Sequence, residues 1–349
     1  MPGGMEQHIA RLSEEQRLRG IEVVNVYNTG DAGSYGRRIW PAMDLSGLRP
    51  NVVANGVFYA GALLQVSRLR SSAPTVLHVH GAWSDLLFSK LLARLLGARA
   101  VAASVHDVLK PPSPTLFRIV LSHCGAVFAT GRREADFLAE ALRRPVFHTP
   151  SAPADLFFQP RSGRHGGSID VVSVASLVEK KRLDLVIACA RERPHLQFAI
   201  VGDGPLRPQL QAAIDQLALT NVRLTGRLAP AEVADMLASA RIFLSTSKEE
   251  GTPTSALEAM ATGTPVILSP SNDYGWLIET GLNGFVTQDW ELESFLRPLD
   301  RVMADPQLLD QIGRRGRTTV SAYSWASTAD RITAAMEAAL AGEGVPCRA

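Results

Sequence analysis

The sequence predicts an α/β protein made of two doubly wound domains. Short β-branched runs alternate with longer apolar patterns of helical period along the chain, and such repeats form parallel sheets covered by helices on both faces. The chain has 349 residues, whereas a single core rarely grows beyond about 250–300 residues, so two domains are expected. Gln159–Ser168, which is rich in glycine and charge, has the composition of a linker between them.

The first domain, residues 1–158, begins with a glycine pair and a helix at Glu6–Leu18 rather than with a strand. A second helix is predicted at Leu86–Leu96. Its predicted strands are Val23–Val26, Val76–Val79, Ala100–Val105, Ala126–Ala129 and Val146–His148. A doubly wound domain ordinarily starts with a central strand that feeds its first loop. We therefore expect this first strand to be missing, either because the natural chain starts about 10–20 residues earlier or because the domain is organised without it.

The second domain, residues 169–323, repeats the alternation more regularly. Its predicted strands are Asp170–Val174, Gln197–Val201, Val222–Leu224, Ile242–Ser245, Pro265–Leu268 and Gly284–Val286. Its predicted helices include Leu183–Glu192, Leu206–Leu217, Ala231–Ala238 and Ser255–Thr262. Ligands of such sheets bind beyond the carboxyl ends of the strands. Two domains of this kind, facing each other, would therefore bind their ligands in a cleft.

Composition places the chain among ordinary globular proteins, with 46% hydrophobic and 20% charged residues. No apolar run approaches the roughly 18 residues of a membrane-spanning helix, and the first residues lack a signal-peptide pattern. The three cysteines, Cys124, Cys189 and Cys347, lie far apart and form neither a disulfide framework nor a zinc motif. We therefore expect a cytoplasmic protein.

Charge is distributed unevenly between the two halves. Residues 1–158 hold 17 Lys/Arg against 12 Asp/Glu, a net charge of +5, whereas the rest hold 19 against 22, a net charge of −3. A basic half favours contact with an anionic membrane surface or an anionic acceptor, unless the charges are simply scattered over a solvated surface. Aromatic residues make up 6% and no basic run interleaves with them, so a nucleic-acid partner is not expected.

The strongest chemical signal runs from Glu250 to Glu258, directly after a predicted strand. Thr252 is a predicted N-cap and Pro253 the predicted first residue of a helix, whose N-terminus offers N–H groups and a positive dipole end to an anion. Glu258 lies five residues past Pro253, about 7–8 Å along the helix axis. Two carboxylates, which bind sugar hydroxyls well, thus bracket one anion site, although two glutamates at chance spacing would give the same pattern.

This stretch resembles the Glu–seven residues–Glu motif of glycosyltransferase family 4, including the trailing Glu-Ala-Met-Ala-x-Gly-x-Pro-Val at residues 258–266. Other segments match that family in its order: Pro2-Gly3-Gly4-Met5-Glu6, Gly202-Asp203-Gly204-Pro205, Leu282-Asn283-Gly284-Phe285-Val286 and Tyr323-Ser324-Trp325. The resemblance covers nearly the whole chain. It implies the GT-B fold, with two Rossmann-like domains facing across a cleft. It also implies that the last helix, Ser324–Leu340, crosses back, so that residues 324–349 pack on the first domain.

The resemblance also implies roles for individual residues. Glu250 would hold hydroxyls of the donor sugar, Glu258 would hold the ribose hydroxyls, and backbone N–H groups near Thr252 and Thr254 would take the diphosphate. The other donor-binding residues that it implies are Gly3, Gly4, Ser176, Lys181, Gly204, Gly226 and Leu257.

The segment Val174–Asp184 resembles the family's Gly-Arg-Leu…Lys-Gly-Leu-Asp pattern with two departures. Ser176 stands where the family has arginine, and Arg182 stands where it has glycine. Lys181 occupies the matching place of the lysine, so its ammonium would neutralise the diphosphate leaving group as charge develops. Losing the arginine removes one cationic contact, which Arg182 or Lys180 would have to replace.

Two histidines follow predicted strands. His106 matches the family's histidine that contacts the transferred sugar, and His80 is a second candidate, while His8 is taken as an ordinary structural residue. No Asp-x-Asp occurs in the sequence, and the other large glycosyltransferase fold uses such a carboxylate pair to hold a divalent metal on the diphosphate. We therefore expect neither a metal nor a cofactor, because Lys181 and the helix end would supply the positive charge.

These features predict a metal-independent, retaining glycosyltransferase with a nucleoside diphosphate sugar as co-substrate. His106, Lys181 and Glu250 are its predicted catalytic residues. The acceptor, a glycan, a glycolipid or a natural product, would bind to the first domain, and closure about Gln159–Ser168 would exclude water. Because no protein nucleophile is evident, we expect the acceptor to attack from the leaving-group face while a phosphate oxygen takes its proton.

Two other functions remain open from the sequence. The chain could be a catalytically inactive GT-B subunit that supports a partner transferase, or a nucleotide-sugar epimerase or phosphorylase. A lipid-linked acceptor would explain the basic first domain, and it would place a cytoplasmic protein against the inner face of the plasma membrane.

Overall fold

The computed structural model of the protein describes residues 4–27, 36–38, 73–81, 86, 89–106, 114–160, 169–250, 252–271 and 274–342. Contacts divide the chain into two compact units, of which unit 1 comprises Met1–Ser151 and Trp325–Ala349 and unit 2 comprises Ala152–Ser324. The division therefore falls at Ser151 rather than at residue 158, because Phe157 is buried in a core of unit 2.

The described elements alternate between strands and helices. The chain begins with α1 (Gly4–Leu18), β1 (Asn25–Tyr27), β2 (Gly36–Arg38), β3 (Val76–Gly81), α2 (Ser89–Leu96), β4 (Ala100–Val105), α3 (Pro114–Leu121), β5 (Ala126–Ala129), α4 (Arg132–Leu142) and β6 (Phe147–His148). It continues with β7 (Val171–Val174), α5 (Leu183–Glu192), β8 (Phe198–Val201), α6 (Arg207–Gln216), β9 (Val222–Gly226), α7 (Pro230–Ser239), β10 (Ile242–Ser245), α8 (Thr254–Thr262), β11 (Val266–Leu268), β12 (Phe285–Val286), α9 (Leu292–Ala304), α10 (Pro306–Ser321) and α11 (Trp325–Ala341). None of the described helices combines the length and the apolar composition needed to cross a membrane.

The larger sheet of unit 1 has four parallel strands in the order β3-β4-β5-β6. The predicted strands Ala100–Val105 and Ala126–Ala129 are confirmed at these bounds. The strand predicted at Val23–Val26 is displaced to Asn25–Tyr27, and it pairs with β2 in a separate two-stranded sheet. Among the described residues, no strand pairs with the other edge of β3.

Helices cover both faces of this sheet because side chains alternate along each strand. Val101 belongs to the core beneath α2, α3 and α4, whereas the adjacent Ala102 belongs to the core that α1 and α11 complete. Gly125 allows α11 to pack closely, because a Cβ at this position would lie 2.6 Å from the Cβ of Ala339. The C-terminal helix is thus an integral part of unit 1.

Unit 2 contains a six-stranded parallel sheet in the order β12-β11-β10-β7-β8-β9. All six predicted strands are present, with bounds that shift by one or two residues. The chain leaves β7 towards β8 on one side and leaves β10 towards β11 on the other, while β7 and β10 are paired through Val171 and Ile242. This reversal of strand order is a topological switch point, where doubly wound sheets bind ligands beyond the carboxyl ends of their strands.

The two faces of the second sheet carry separate cores. Val171 lies in the core formed with α5, α6, α9 and α10, and Val172 lies in the core formed with α7 and α8. Fully buried side chains such as Phe243 and Phe295 anchor the two faces, and each contributes about 1.5–3 kcal/mol through burial. The loops at the switch point are thus held on a rigid support.

Candidate functional site

Two predicted site residues meet at the switch point of unit 2. Lys181 ends a short 3₁₀ turn after β7, and Glu250 lies in the loop after β10. The Nζ of Lys181 donates to Oε1 of Glu250 in an ion pair whose side chains are only 16% and 15% exposed. Residues separated by 69 positions are therefore brought together at the place where the fold accommodates a ligand.

The loop after β10 also fixes the backbone of the lysine turn. The hydroxyl of Thr246, a residue that is 1% exposed, donates to the carbonyl oxygens of Lys181 at 3.0 Å and Arg182 at 2.9 Å. The N–H of Lys248 donates to the carbonyl oxygen of Lys180 at 2.7 Å. Each such bond contributes about 0.5–1.5 kcal/mol, so the two loops behave as one structure. Sequence reasoning missed this role of Thr246.

Arg182 has the backbone conformation that a glycine would adopt most easily. Its φ is +47°, in the left-handed region, which costs a non-glycine residue roughly 1–2 kcal/mol. This explains why the family pattern has glycine at this place. The Arg182 guanidinium pairs with Asp184 at 3.0 Å, whereas the side chains of Lys180 and Ser176 are exposed.

The predicted glycine turn after β8 packs tightly on the segment that follows β7. A Cβ on Gly204 would lie 2.6 Å from the carbonyl oxygen of Leu177, and one on Gly202 would lie 1.9 Å from the carbonyl oxygen of Ala175. The N–H of Gly202 in turn donates to the carbonyl oxygen of Gly226 at 2.9 Å. Gly204 and Gly226 therefore both lie at the carboxyl edge of the sheet, where their close packing requires glycine or favours it.

The helix that follows Glu250 begins one residue later than predicted. Thr254 is its first residue and Pro253 is the N-cap, without a side-chain capping bond, so the prediction of Thr252 as N-cap is wrong. Pro253 has φ −78° and ψ 69°, which is not helical, while its carbonyl oxygen accepts the N–H groups of Ala256 at 2.9 Å and Leu257 at 3.0 Å. The N–H of Thr254 donates to the carbonyl oxygen of Thr252 at 2.9 Å.

Glu258 lies one turn into α8 and is held in an apolar environment. Burial raises the pKa of its carboxyl from 4.5 to about 8, because the charged form loses its hydration. The neighbouring Leu257 is 0% exposed and packs in the core. Its predicted part in donor binding is therefore confined to its backbone. A ligand that donates hydroxyl hydrogens to Glu258 would favour the ionised carboxylate.

Unit 1 carries a cluster of histidines around the carboxyl end of β4. His106 follows this strand as predicted, and its Nε2 lies 2.9 Å from Nδ1 of His80, so one ring donates to the other. The rings of His80 and His78 lie 4.0 Å apart. Burial lowers the pKa of His106 to about 4 and that of His78 to about 3, and it lowers the pKa of His80 well below its ordinary value. These imidazoles are therefore neutral near pH 7.

His8 joins this cluster, although the sequence predicts only an ordinary structural role for it. It is 1% exposed, its ring centroid lies 4.9 Å from that of His106 and 5.0 Å from that of Trp325, and its Nδ1 lies 3.0 Å from the hydroxyl of Ser151. Its Nε2 is buried with no hydrogen-bond partner among the described residues. Its position on the helix that follows the glycine pair is the one signal that could have indicated this placement.

Several predicted residues lie outside the described part of the chain. Gly3 and the greater part of the predicted linker, residues 161–168, are among them, whereas Gly4 is the first residue of α1. Within the described residues, no group of three or more His, Cys, Asp or Glu side chains is arranged to hold a metal ion.

Two family models match the chain, one in each half. The model described as "Glycosyltransferase Family 4" matches residues 2–150, and the model described as "Glycosyl transferases group 1" matches residues 157–319. The two matches adjoin near the boundary between the units, and together they account for most of the sequence.

Similar proteins of known name include transferases from distant organisms. One subunit of the phosphatidylinositol N-acetylglucosaminyltransferase of Homo sapiens is 28% identical over 289 residues, which are 76% of this chain and 58% of that protein. Alpha-D-kanosaminyltransferase of Streptomyces kanamyceticus is 24% identical over 316 residues, which are 79% of this chain and 82% of that protein. The chain thus spans less than two thirds of the length of the human relative.

Solved structures share the fold at lower sequence identity. Sucrose-phosphate synthase from Thermosynechococcus elongatus is 17% identical with a TM-score of 0.83, and the match covers 98% of this chain and 94% of that one. The Anabaena protein Alr3699/HepE, solved in complex with UDP and glucose, is 17% identical with a TM-score of 0.76, and the match covers 97% of both chains.

Proposed function

The chain belongs to glycosyltransferase family 4 and has the GT-B fold, and from this we propose that it transfers a sugar from a nucleoside diphosphate sugar to an acceptor hydroxyl. The transfer would proceed with retention of anomeric configuration and without a metal ion. Unit 2 would bind the donor, and unit 1 would contribute the acceptor side of the reaction.

One observation carries this proposal: Lys181 and Glu250 pair at the topological switch point, directly before the N-terminus of α8. A helix N-terminus and an ammonium both attract phosphate, while a carboxylate accepts hydrogen bonds from sugar hydroxyls. Glu258, four residues after Thr254 on the same helix, places a second carboxyl about 6 Å further along the axis. The site therefore combines groups for phosphate with groups for hydroxyls, which is what a nucleotide sugar requires.

The proposed chemistry rests on positioning and electrostatics. The bond between the anomeric carbon and the diphosphate oxygen breaks as the acceptor oxygen bonds to the same face of that carbon, and a phosphate oxygen takes the acceptor's proton. The ammonium of Lys181 stabilises the charge that develops on the departing diphosphate. This cation and the dipole of α8 would supply the charge that a metal supplies elsewhere, and the UDP and glucose bound by Alr3699/HepE support a donor of this kind.

Thermal unfolding with a panel of nucleotides tests the proposal. UDP, GDP, ADP and their glucose conjugates would be compared with EDTA present, for wild type, Glu258→Ala and the exposed control Glu293→Ala. A ligand at a hundredfold excess over its Kd stabilises the folded state by about 2.7 kcal/mol. We expect one nucleotide to raise the Tm of wild type and of the control but not of Glu258→Ala. A shift that requires added metal, or no shift at all, would contradict the proposal.

Turnover distinguishes the enzyme from an inactive subunit of the same fold. Release of the nucleoside diphosphate from the donor identified by the panel, measured with and without a mixture of glycan and glycolipid acceptors, is expected for the enzyme. Nuclear magnetic resonance of the product's anomeric proton then reports the configuration, and an inverted product would refute the proposed mechanism. Binding without any turnover would support the inactive subunit instead.

We further propose that the acceptor is lipid-linked and that unit 1 contacts an anionic membrane. Leu91 on α2 is 46% exposed and Ile119 on α3 is 67% exposed, and both stand beside exposed cations, namely Lys90, Arg94 and Arg118. We refer to these five residues as the α2–α3 surface. Exposed apolar side chains flanked by cations suit a layer of anionic lipid headgroups, to which each cation near the surface adds about 1 kcal/mol.

Charge complementarity supports this choice of partner. The described segments 89–106 and 114–125 contain Lys and Arg but no Asp or Glu. The two helices are joined where the hydroxyl of Ser89 lies 2.8 Å from Nε2 of His123. Burial, together with the positive charges of Lys90 and Arg144, lowers the pKa of His123, which shows that cations gather on this side of unit 1.

Vesicle sedimentation tests the membrane contact. Wild type is expected to sediment with phosphatidylcholine vesicles that contain about a third phosphatidylglycerol, to be released by salt, and to ignore pure phosphatidylcholine. The double variant Leu91→Ser/Ile119→Ser should lose most of this binding, whereas Leu18→Ser, at a residue of α1 that is 77% exposed, should keep it. Equal binding by both variants would refute the assignment of this surface.

A further inference from the structure

Ser247 is a buried residue whose hydroxyl contacts the carboxylate of Glu250. It is 2% exposed, and its Oγ donates to Oε1 of Glu250 at 2.7 Å. The same carboxylate oxygen accepts the ammonium of Lys181. Hydrogen bonds to an ionised acceptor are roughly twice as strong as those between neutral groups. Because Ser247 is enclosed by protein, it acts on a ligand only through Glu250.

The backbone of Ser247 is held from two other directions. Its carbonyl oxygen accepts the hydroxyl of Ser269 at 2.5 Å and the indole N–H of Trp290 at 3.1 Å. Ser269 follows β11, where its N–H is bonded to the carbonyl oxygen of Ser245 at 2.9 Å. Trp290 packs against the core beneath α9. The position of the Ser247 hydroxyl is therefore set by the sheet and by the core, not by the loop alone.

Lys181 cannot fix the carboxylate in the same way. A lysine side chain is a flexible stem of four carbons that carries a point charge, whereas a serine hydroxyl lies one bond beyond Cβ. In the proposed function, the ammonium of Lys181 turns to the donor's diphosphate when the donor binds. Glu250 then loses its cationic partner at the moment when it must face the sugar hydroxyls.

We propose that Ser247 is the positioning residue of Glu250. It holds the carboxylate in place while Lys181 exchanges Glu250 for the diphosphate, so that the sugar of the donor meets an acceptor of fixed orientation. This inference rests on the proposed function, since it concerns the same donor site. It predicts that Ser247 affects recognition of the sugar and leaves recognition of the nucleoside diphosphate unchanged.

Calorimetric titration separates these two contributions without an acceptor. For wild type and each variant, the Kd of the best-bound nucleoside diphosphate among UDP, GDP and ADP is compared with the Kd of its glucose conjugate. The ratio of the two values measures what the sugar contributes. We expect Ser247→Ala to reduce this ratio about tenfold, as loss of a hydrogen bond to a charged group implies, and to change the Kd of the diphosphate less than about twofold.

Three further variants make the result decisive. Ser247→Thr keeps the hydroxyl and should restore the ratio. Ser269→Ala removes an equally buried hydroxyl, 1% exposed, that bonds the same loop but not Glu250, and it should keep the wild-type ratio. Glu250→Ala removes the carboxylate itself and sets the largest loss that Ser247→Ala can reach.

The outcomes distinguish this inference from the proposed function beneath it. If Glu250→Ala leaves the ratio unchanged, Glu250 does not bind the sugar and the proposed function fails. If Glu250→Ala lowers the ratio but Ser247→Ala does not, the proposed function stands and the role of Ser247 is refuted. Equal losses in Ser247→Ala and Ser269→Ala would also refute it, because general loosening of the loop would then be the cause.

Discussion

The burial of Glu258 makes a prediction about pH that needs no knowledge of the substrate. In the folded chain the pKa of this carboxyl is raised from 4.5 to about 8 by loss of hydration. Between these values the unfolded chain is ionised at this position while the folded chain keeps its proton. The contribution of Glu258 to stability is therefore fully present below about pH 4.5 and is lost as the pH rises through about 8.

Glu258→Gln removes this dependence while keeping the size of the side chain. The two pKa values differ by about 3.5, and each step of one is worth 1.36 kcal/mol, so ionisation of the buried carboxyl costs on the order of 5 kcal/mol at most. Wild type and variant should have similar free energies of unfolding near pH 5. The variant should then gain about 1.4 kcal/mol per pH unit over wild type until about pH 8, where the difference levels off.

Urea unfolding between about pH 5 and about pH 9 measures the difference between the two proteins. The transition of unit 2 is the one that the nucleotide identified by the panel displaces. Nucleotide binding provides a second readout, because hydroxyl donors favour the carboxylate, so the affinity of wild type should rise towards about pH 8. Free energies that stay parallel across the whole pH range would refute the claim that Glu258 is buried in its neutral form.

Three further perturbations have effects that follow from the structure. His106→Asn should make unit 1 less sensitive to acid, because the pKa of His106, lowered by burial to about 4, costs wild type up to about 3 kcal/mol as the pH falls from about 6.5 to 4; acid unfolding curves of the two proteins check this. Gly204→Ala should destabilise unit 2 by about 1–3 kcal/mol and weaken nucleotide binding, because its Cβ would lie 2.6 Å from the backbone oxygen of Leu177; unchanged Tm and Kd would contradict it. Gly125→Val should loosen α11 and expose it to protease, because Ala339 lies only 2.6 Å from where the new Cβ would be; cleavage at the wild-type rate would show that the helix packs without this close approach.

The sequence predicts the second unit well because its signals are local. Each strand of its sheet is a short apolar run bounded by turn residues, and burial on both faces leaves little choice of register or face. The site was predictable for a related reason. Lys181, Glu250 and Glu258 each follow a strand or begin a helix, and the ends of parallel strands meet at one edge. Their identity as a set came from the family resemblance, since spacing along the chain does not show which loops touch.

The predictions that were inaccurate concern contacts between distant segments. Nothing in the sequence shows that Thr246 bonds the lysine turn or that Ser247 bonds Glu250, because hydroxyl residues in loops are common and their partners depend on the whole fold. The prediction for His8 was inaccurate for the same reason: a histidine on a helix acquires its environment only when that helix is packed. The helix start at Thr254 instead of Pro253 reflects backbone angles at a proline, which sequence rules place only to within one or two residues.

The contacts within the donor site favour a nucleotide sugar over any of its parts. A diphosphate alone would draw Lys181 away from Glu250 and would leave that carboxylate with fewer charge-assisted bonds. A free sugar would meet an acceptor that the lysine already occupies, and a nucleoside alone would face the buried carboxyl of Glu258 without the phosphate that orders the neighbouring loops. Only a ligand with both groups compensates each disrupted contact with a new one. Discrimination against inorganic diphosphate and free sugars thus follows from the contacts that Lys181, Glu250 and Glu258 make within the protein.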